Sequence, residues 1–78
     1  MNYVVYILFS DILEKYYVGY TRDLEERMQR HNAGRSKFTS KGVPWRLIKT
    51  YPCNDRVEAV RLEKKIKKRG AKRFLDEN

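Results

Sequence analysis

Residues 2–9 read Asn-Tyr-Val-Val-Tyr-Ile-Leu-Phe, an almost wholly apolar run rich in β-branched and aromatic side chains. Such a run predicts a central strand covered on both faces. Residues 10–14 carry a turn, and residues 15–20 predict a second, aromatic-rich strand. The short connection makes the pair an antiparallel hairpin. Thr21 or Asp23 then offers an N-cap, and Asp23 with Glu26 has capping-box spacing. The helix they open runs to residue 32 or 33 and stops at Gly34. Residues 35–44 are polar and basic, and Gly42 and Pro44 make them a loop. Residues 46–51 predict a third strand, and 52–55 turn the chain. Asp55 and Glu58 repeat the capping-box pattern, opening a helix that runs to about residue 69 and ends at Gly70. A short last helix covers 71–76. The order ββα, β, α predicts an α+β fold: a small three-stranded antiparallel sheet flanked by helices.

The polar positions inside these patterns are informative. In the first helix the apolar stripe is Leu24 and Met28, with Tyr20 just before it. Arg27 and His31 lie three and seven residues after Leu24, at the border of that stripe, and four apart on one helix edge. Both suit side chains snorkelling at a core boundary, and equally a paired functional edge. In the second helix Ala59, Leu62 and Ile66 make the stripe, and Glu63 sits beside them. A carboxylate there is costly unless paired or bound to a cation. A salt bridge to a neighbouring lysine satisfies it, as does a hard divalent ion.

Composition narrows the setting. Seventy-eight residues carry a net charge of +8, from 18 Lys and Arg against 10 Asp and Glu. One domain of this size has a thin core, with about 60% of the unfolded surface buried, and no room for a second recognition domain. The charge suits a polyanion, either nucleic acid or an anionic membrane. Residues 61–73 hold eight cations against Glu63 alone. Lys64, Lys67 and Lys68 in that run are either a solvated helix face or a phosphate-tracking surface giving salt-dependent, sequence-independent affinity. Arg35, Lys37 and Lys41 in the loop extend it. The loop aromatics Phe38 and Trp45 either stack on bases or close the core, the latter reading being favoured for Trp45.

Several classes drop out. Cys53 is the only cysteine and His31 the only histidine, so neither an internal disulfide nor a structural zinc site can form. Cys53 reads as an ordinary reduced thiol. The apolar stretch 3–9 is far shorter than the roughly 20 residues of a membrane span, and it lacks the flanks of a signal peptide. A soluble cytoplasmic protein is expected. No residue sets an oligomeric state.

Six tyrosines are many for this length. Tyr3, Tyr16, Tyr20 and Tyr51 need only fill a half-buried sheet. Tyr6 and Tyr17 stand in the triplets Val4-Val5-Tyr6 and Tyr17-Val18-Gly19, with ten residues between them. If the two strands pair, the two phenols share a face.

These triplets, with Arg27, His31-Asn32, the stretch Lys37-Phe38-Thr39-Ser40-Lys41-Gly42 and Glu63, resemble the GIY-YIG nuclease superfamily along essentially the whole chain. The nearest likeness is to its small, uncharacterised single-domain bacterial proteins. The resemblance implies that Tyr6 and Tyr17 are paired active-site tyrosines. It implies that Gly19 lets the backbone approach substrate and that Arg27 steadies the phosphate. Glu63 would hold one divalent ion, Mg²⁺ or Mn²⁺, bound with substrate. His31 falls where other branches carry tyrosine or histidine. The implied reaction is metal-assisted hydrolysis of phosphodiester bonds in DNA or RNA, selective for structure rather than sequence. A tyrosine base needs nearby cationic charge to lower its pKa, whereas His31 does not; Tyr6, Tyr17 and His31 all remain candidates for the base. The chain departs from the pattern in having Val4 and Val5 for the first glycine and isoleucine. It has Tyr20 where some relatives carry lysine. Asn78 is the one counterpart of an asparagine that many members carry after the glutamate. Two other classes stand beside the nuclease: a non-catalytic nucleic-acid-binding module, and a subunit whose basic helix docks on an acidic protein.

Overall fold

The apolar run becomes the central strand β1 (Tyr3–Ser10), with β2 (Lys15–Thr21) on one side and β3 (Trp45–Cys53) on the other. Both pairings are antiparallel, and Tyr6 stands opposite Gly19 in β2 and Thr50 in β3. The computed structural model describes residues 2–35 and 37–77. Asn78 lies outside the described residues.

Because β1 is central, both of its faces need cover. Its side chains alternate, so Val5 and Ile7 point to one face and Tyr6 and Leu8 to the other, and all four are fully buried. On the first face lie α2 (Arg56–Arg69) and α3 (Ala71–Glu77), which bring Ala59, Ile66 and Phe74 to Val5, Ile7 and Val18. On the second face Trp45 and partly buried Tyr17, Leu24 and Met28 pack against Tyr6 and Leu8, which places α1 (Leu24–Asn32) there. Each fully buried side chain of this size contributes about 1.5–3 kcal/mol. The core is therefore two thin layers, one on each side of a single sheet.

The helix ends follow the predicted chemistry with one difference. Asp23 caps α1 and Asp55 caps α2, each carboxylate accepting from the backbone N–H three residues on, at 3.0 and 2.8 Å. Glu58 reaches back to the N–H of Asn54 at 3.3 Å. Glu26 does not reach back; its carboxylate pairs with Arg30 one turn later at 3.0 Å, so only half of that capping box forms. Gly34 and Gly70 follow their helices with φ of +74° and +95°, which β-carbon-bearing residues resist.

Two boundaries differ from expectation. β3 extends through Pro52, which was expected to turn the chain. Pro52 faces Val4 in the register, and β3 is an edge strand, where a missing N–H costs little. The loop before β3 is partly ordered by a 3₁₀ turn at Ser40–Gly42. Trp45 belongs to the strand and is buried in the core. Its backbone is clamped by the Asn32 side chain, which accepts from the Trp45 N–H at 2.6 Å and donates to the Trp45 carbonyl at 3.3 Å. Gly42 lets the indole lie flat, since a β-carbon there would come within 2.5 Å of Trp45 Cζ2.

Candidate active site

Pairing of β1 with β2 puts Tyr6 and Tyr17 on the same face, with ring centroids 6.3 Å apart. Gly19, directly across from Tyr6, is on that face too. A β-carbon on Gly19 would come within 2.6 Å of Tyr6 Oη and 2.7 Å of Tyr6 Cζ. The glycine therefore makes room for the phenol first. The same glycine lines the cleft, where its expected backbone approach to substrate would take place.

α1 supplies the next two groups. His31 was expected at the border of the helix's apolar stripe, but it is the buried residue of α1, with 2% exposure. Leu24 and Met28 are only partly buried. The imidazole can afford this position because both nitrogens have partners. Nε2 lies 3.0 Å from Tyr6 Oη, and Nδ1 lies 2.9 Å from the hydroxyl of Thr39. Thr39 is itself fully buried, and its carbonyl accepts from Trp45 Nε1 at 2.7 Å. The Tyr17 ring meets the imidazole edge-on at 5.0 Å. Thr39 and Asn32 are thus part of the site's framework, and nothing in their local pattern marked them. Only their place in the stretches around His31 and Phe38 hinted at it.

Arg27, one turn before His31, lines a cleft of about 240 Å³ together with Tyr6, Tyr17, Gly19, Tyr20 and Glu63. Its Nε is buried without a hydrogen-bond partner among the described residues. A buried guanidinium donor left unpaired fits an anionic ligand such as phosphate. Arg27 comes from the helix on one face of the sheet and Glu63 from the helix on the other. They line the same cleft beside β2, an edge strand of the sheet.

Glu63 is 17% exposed in its side chain, and its nearest cation is Lys67 at 3.6 Å, a loose i,i+4 pair. The expected ion pair to a neighbouring lysine is present, and the same carboxylate lines the cleft. No cluster of three or more His, Cys, Asp or Glu side chains is present among the described residues. That donor set cannot make a calcium or zinc cage. It does fit Mg²⁺ or Mn²⁺, which accept one carboxylate and complete their shell with waters and substrate phosphate oxygens.

Electrostatics separate Tyr6 and His31, two of the three candidate proton acceptors. Burial pushes the Tyr6 phenol up to about 12, with Tyr17 adding to the rise and Arg27 opposing it. Arg27 alone does not offset the loss of solvent. Burial lowers the pKa of His31, helped by Arg27 and then Arg30. His31 is therefore neutral near pH 7, with one nitrogen free to accept.

The surface cations distribute unevenly. Arg35 lies on the far side of α1, beside Glu26 and Arg30. Lys64, Lys67 and Lys68 are exposed on α2, and Lys68 shares a second concavity with Lys65, Arg69 and Arg73. Lys37 and Lys41 are exposed in the loop that carries Thr39. None of these six lines the tyrosine cleft. No described helix is long and apolar enough to cross a membrane.

The structure defines a small α+β domain, a three-stranded antiparallel sheet with helices on both faces, in which two tyrosines, an arginine and a glutamate line one cleft. The chain belongs to the GIY-YIG family, matching its catalytic domain over residues 2–75. It is similar to the UPF0213 protein BH0048 of Halalkalibacterium halodurans, with 37% identity over 68 residues, covering 86% of this chain and 71% of that one. It is also similar to a UPF0213 protein of Halobacterium salinarum, with 40% identity over 68 residues and 86% of each chain covered. The solution NMR structure of the UPF0213 protein BH0048 from Bacillus halodurans has the same fold, at a TM-score of 0.59 and 32% identity. That match covers 97% of this chain and 81% of that chain. GIY-YIG domains form a nuclease superfamily that acts on nucleic acid and generally uses divalent metal ions.

Proposed function

We propose that this protein is a metal-dependent endonuclease that hydrolyses phosphodiester bonds of DNA or RNA, choosing its substrate by structure rather than by sequence. The observation that carries the reading is the contact of Tyr6 Oη with His31 Nε2 at 3.0 Å, on the floor of a cleft walled by Tyr17, Arg27 and Glu63.

A phenol whose pKa is pushed up to about 12 is a poor base if it must first become phenolate. The contact with His31 removes that requirement. Tyr6 accepts a proton from the attacking water while passing its own phenolic proton to Nε2, so it never holds a full negative charge. The neutral state of His31 would keep Nε2 ready in the tautomer whose Nδ1–H donates to the Thr39 hydroxyl, 2.9 Å away. Of the three candidates for the base, we favour Tyr6 backed by His31, because the 3.0 Å contact would give its proton a path. Arg27, with its unpaired Nε, would bind the non-bridging phosphate oxygens as a preorganised donor. Tyr17 would hold the imidazole edge-on and line the entry. Glu63 would hold one Mg²⁺ or Mn²⁺, whose charge, when the ion is bound, stabilises the leaving oxygen. The lysines of α2 and the loop would add salt-dependent affinity for the flanking phosphates.

The test is cleavage of branched, flapped, single-stranded and duplex DNA and RNA with Mg²⁺ or Mn²⁺, with Glu63→Ala assayed in parallel. Metal-dependent cutting that falls by at least about 100-fold in Glu63→Ala is expected, the size of effect seen when a transition-state charge partner is lost. No cutting of any substrate, with salt-sensitive binding intact, would replace the nuclease by a binding module on the same fold.

A further inference from the structure

Phe38 is 89% exposed, the most exposed large hydrophobic side chain among the described residues. A lone exposed apolar residue needs no explanation by itself. Three observations set this one apart.

The first is its mounting. Thr39, the next residue, is fully buried and hydrogen-bonded to His31 at 2.9 Å. The Thr39 carbonyl accepts from Trp45 Nε1 at 2.7 Å and from the Gly42 N–H at 3.1 Å. The ring is thus carried one Cα step, about 3.8 Å, from a residue locked to the candidate proton acceptor. The second is charge. Between Glu26 and Asp55 the sequence holds seven Lys and Arg side chains and no carboxylate, and Lys37 and Lys41 flank Phe38 within three residues. The third is contrast. Trp45, the other aromatic near this loop, is buried and hydrogen-bonded, so the core has no need of a second ring from the loop.

We propose that Phe38 is a stacking platform for one unpaired base beside the scissile phosphate, so that the protein recognises nucleic acid where paired and unpaired strands join. The inference rests on the nucleic-acid substrate of the proposed function and names its class. Every base presents a π-face, so stacking is tolerant of sequence. A base within a duplex is already stacked on its neighbours and cannot cover the ring without being unstacked. Cations with no carboxylate among them hold the backbone on both sides of the stacked base. The anchored backbone of Thr39 fixes where the ring is mounted, so little loop entropy is lost on binding.

The experiment measures binding, in metal-free buffer at fixed salt, on the Glu63→Ala background. The probes are a labelled flapped duplex and a fully paired duplex of equal length. Phe38→Ala should weaken flap binding about 5- to 150-fold, the range for removing one stacked base. Duplex binding should change less than about 2-fold, since the phosphate contacts remain. Phe38→Trp should keep flap affinity, and its added indole fluorescence should be quenched by the flap and not by the duplex. Equal losses on both probes, no loss on either, an unquenched Trp, or no salt-sensitive binding at all would overturn the proposal. A selective loss in a protein that never cuts would keep the stacking site and remove the nuclease. Cutting abolished by Glu63→Ala, with no selectivity from Phe38, would do the reverse.

Discussion

Replacing Gly19 with alanine puts a methyl group where the buried phenol of Tyr6 already lies. The added carbon would stand 2.6 Å from Tyr6 Oη and 2.7 Å from Cζ, with Tyr17 Cε2 at 3.2 Å. Carbon–oxygen contacts normally begin near 3.3 Å, so the site must open by about 0.7 Å. Tyr6 is fully buried, so its phenol can shift only toward the cleft it lines. Any move of that size disturbs its 3.0 Å contact with His31. Overpacking together with a strained buried hydrogen bond costs about 2–4 kcal/mol. A 78-residue domain has only about 4–12 kcal/mol of stability in total. Each kcal/mol lowers Tm by about 4–8 °C at this size, so Gly19→Ala should melt roughly 10–25 °C below the native protein by circular dichroism. Cleavage should fall about 100-fold, the cost of a misplacement near 1 Å. Tyr6→Phe on the Gly19→Ala background removes the 2.6 Å contact, so the double variant should recover about 0.5–2 kcal/mol relative to the sum of the singles. A Gly19→Ala protein that melts within about 3 °C of native, or strictly additive costs, would refute the packing argument.

Two further predictions concern the buried network. The pKa of His31 is lowered in the folded state, so the unfolded chain binds its proton first as the pH falls. The stabilisation is therefore complete above about 6.5 and is lost progressively as the pH drops through the lower folded pKa. Thermal melts from pH 8 to 5 should show Tm falling on the acid side, with a shallower slope in His31→Gln; equal slopes would refute the assignment. Thr39→Val keeps the shape of a fully buried residue but leaves His31 Nδ1 without its 2.9 Å partner. It should cost about 1–3 kcal/mol in urea unfolding, while Thr39→Ser stays near native; equal effects of the two would show that the methyl, not the hydroxyl, matters.

Much of this protein was legible along the chain because the signals are local. The unbroken apolar run of 2–9 identified β1 as central, since only a strand with neighbours on both sides and layers on both faces can bury every side chain. Asp23, Gly34, Asp55 and Gly70 marked the helix ends because caps satisfy backbone groups within three or four residues. The family resemblance picked out Tyr6, Tyr17, Arg27 and Glu63, and the fold brings them to one cleft. What the sequence could not determine depends on contacts between distant elements. Helical periodicity put His31 at a border, because it counts only neighbours on its own helix; Thr39 and Tyr6, eight and twenty-five residues away, make its burial affordable. That Gly19 also makes room for the Tyr6 phenol became visible only when pairing with β1 placed the two opposite each other. The acidity of Tyr6 was not legible either, because Arg27's charge is visible in sequence and the burial that raises the phenol's pKa is not. The meeting of Arg27 and Glu63 in one cleft, from helices on opposite faces of the sheet, was decided only by the tertiary fold. No local pattern encodes which cleft two helices share.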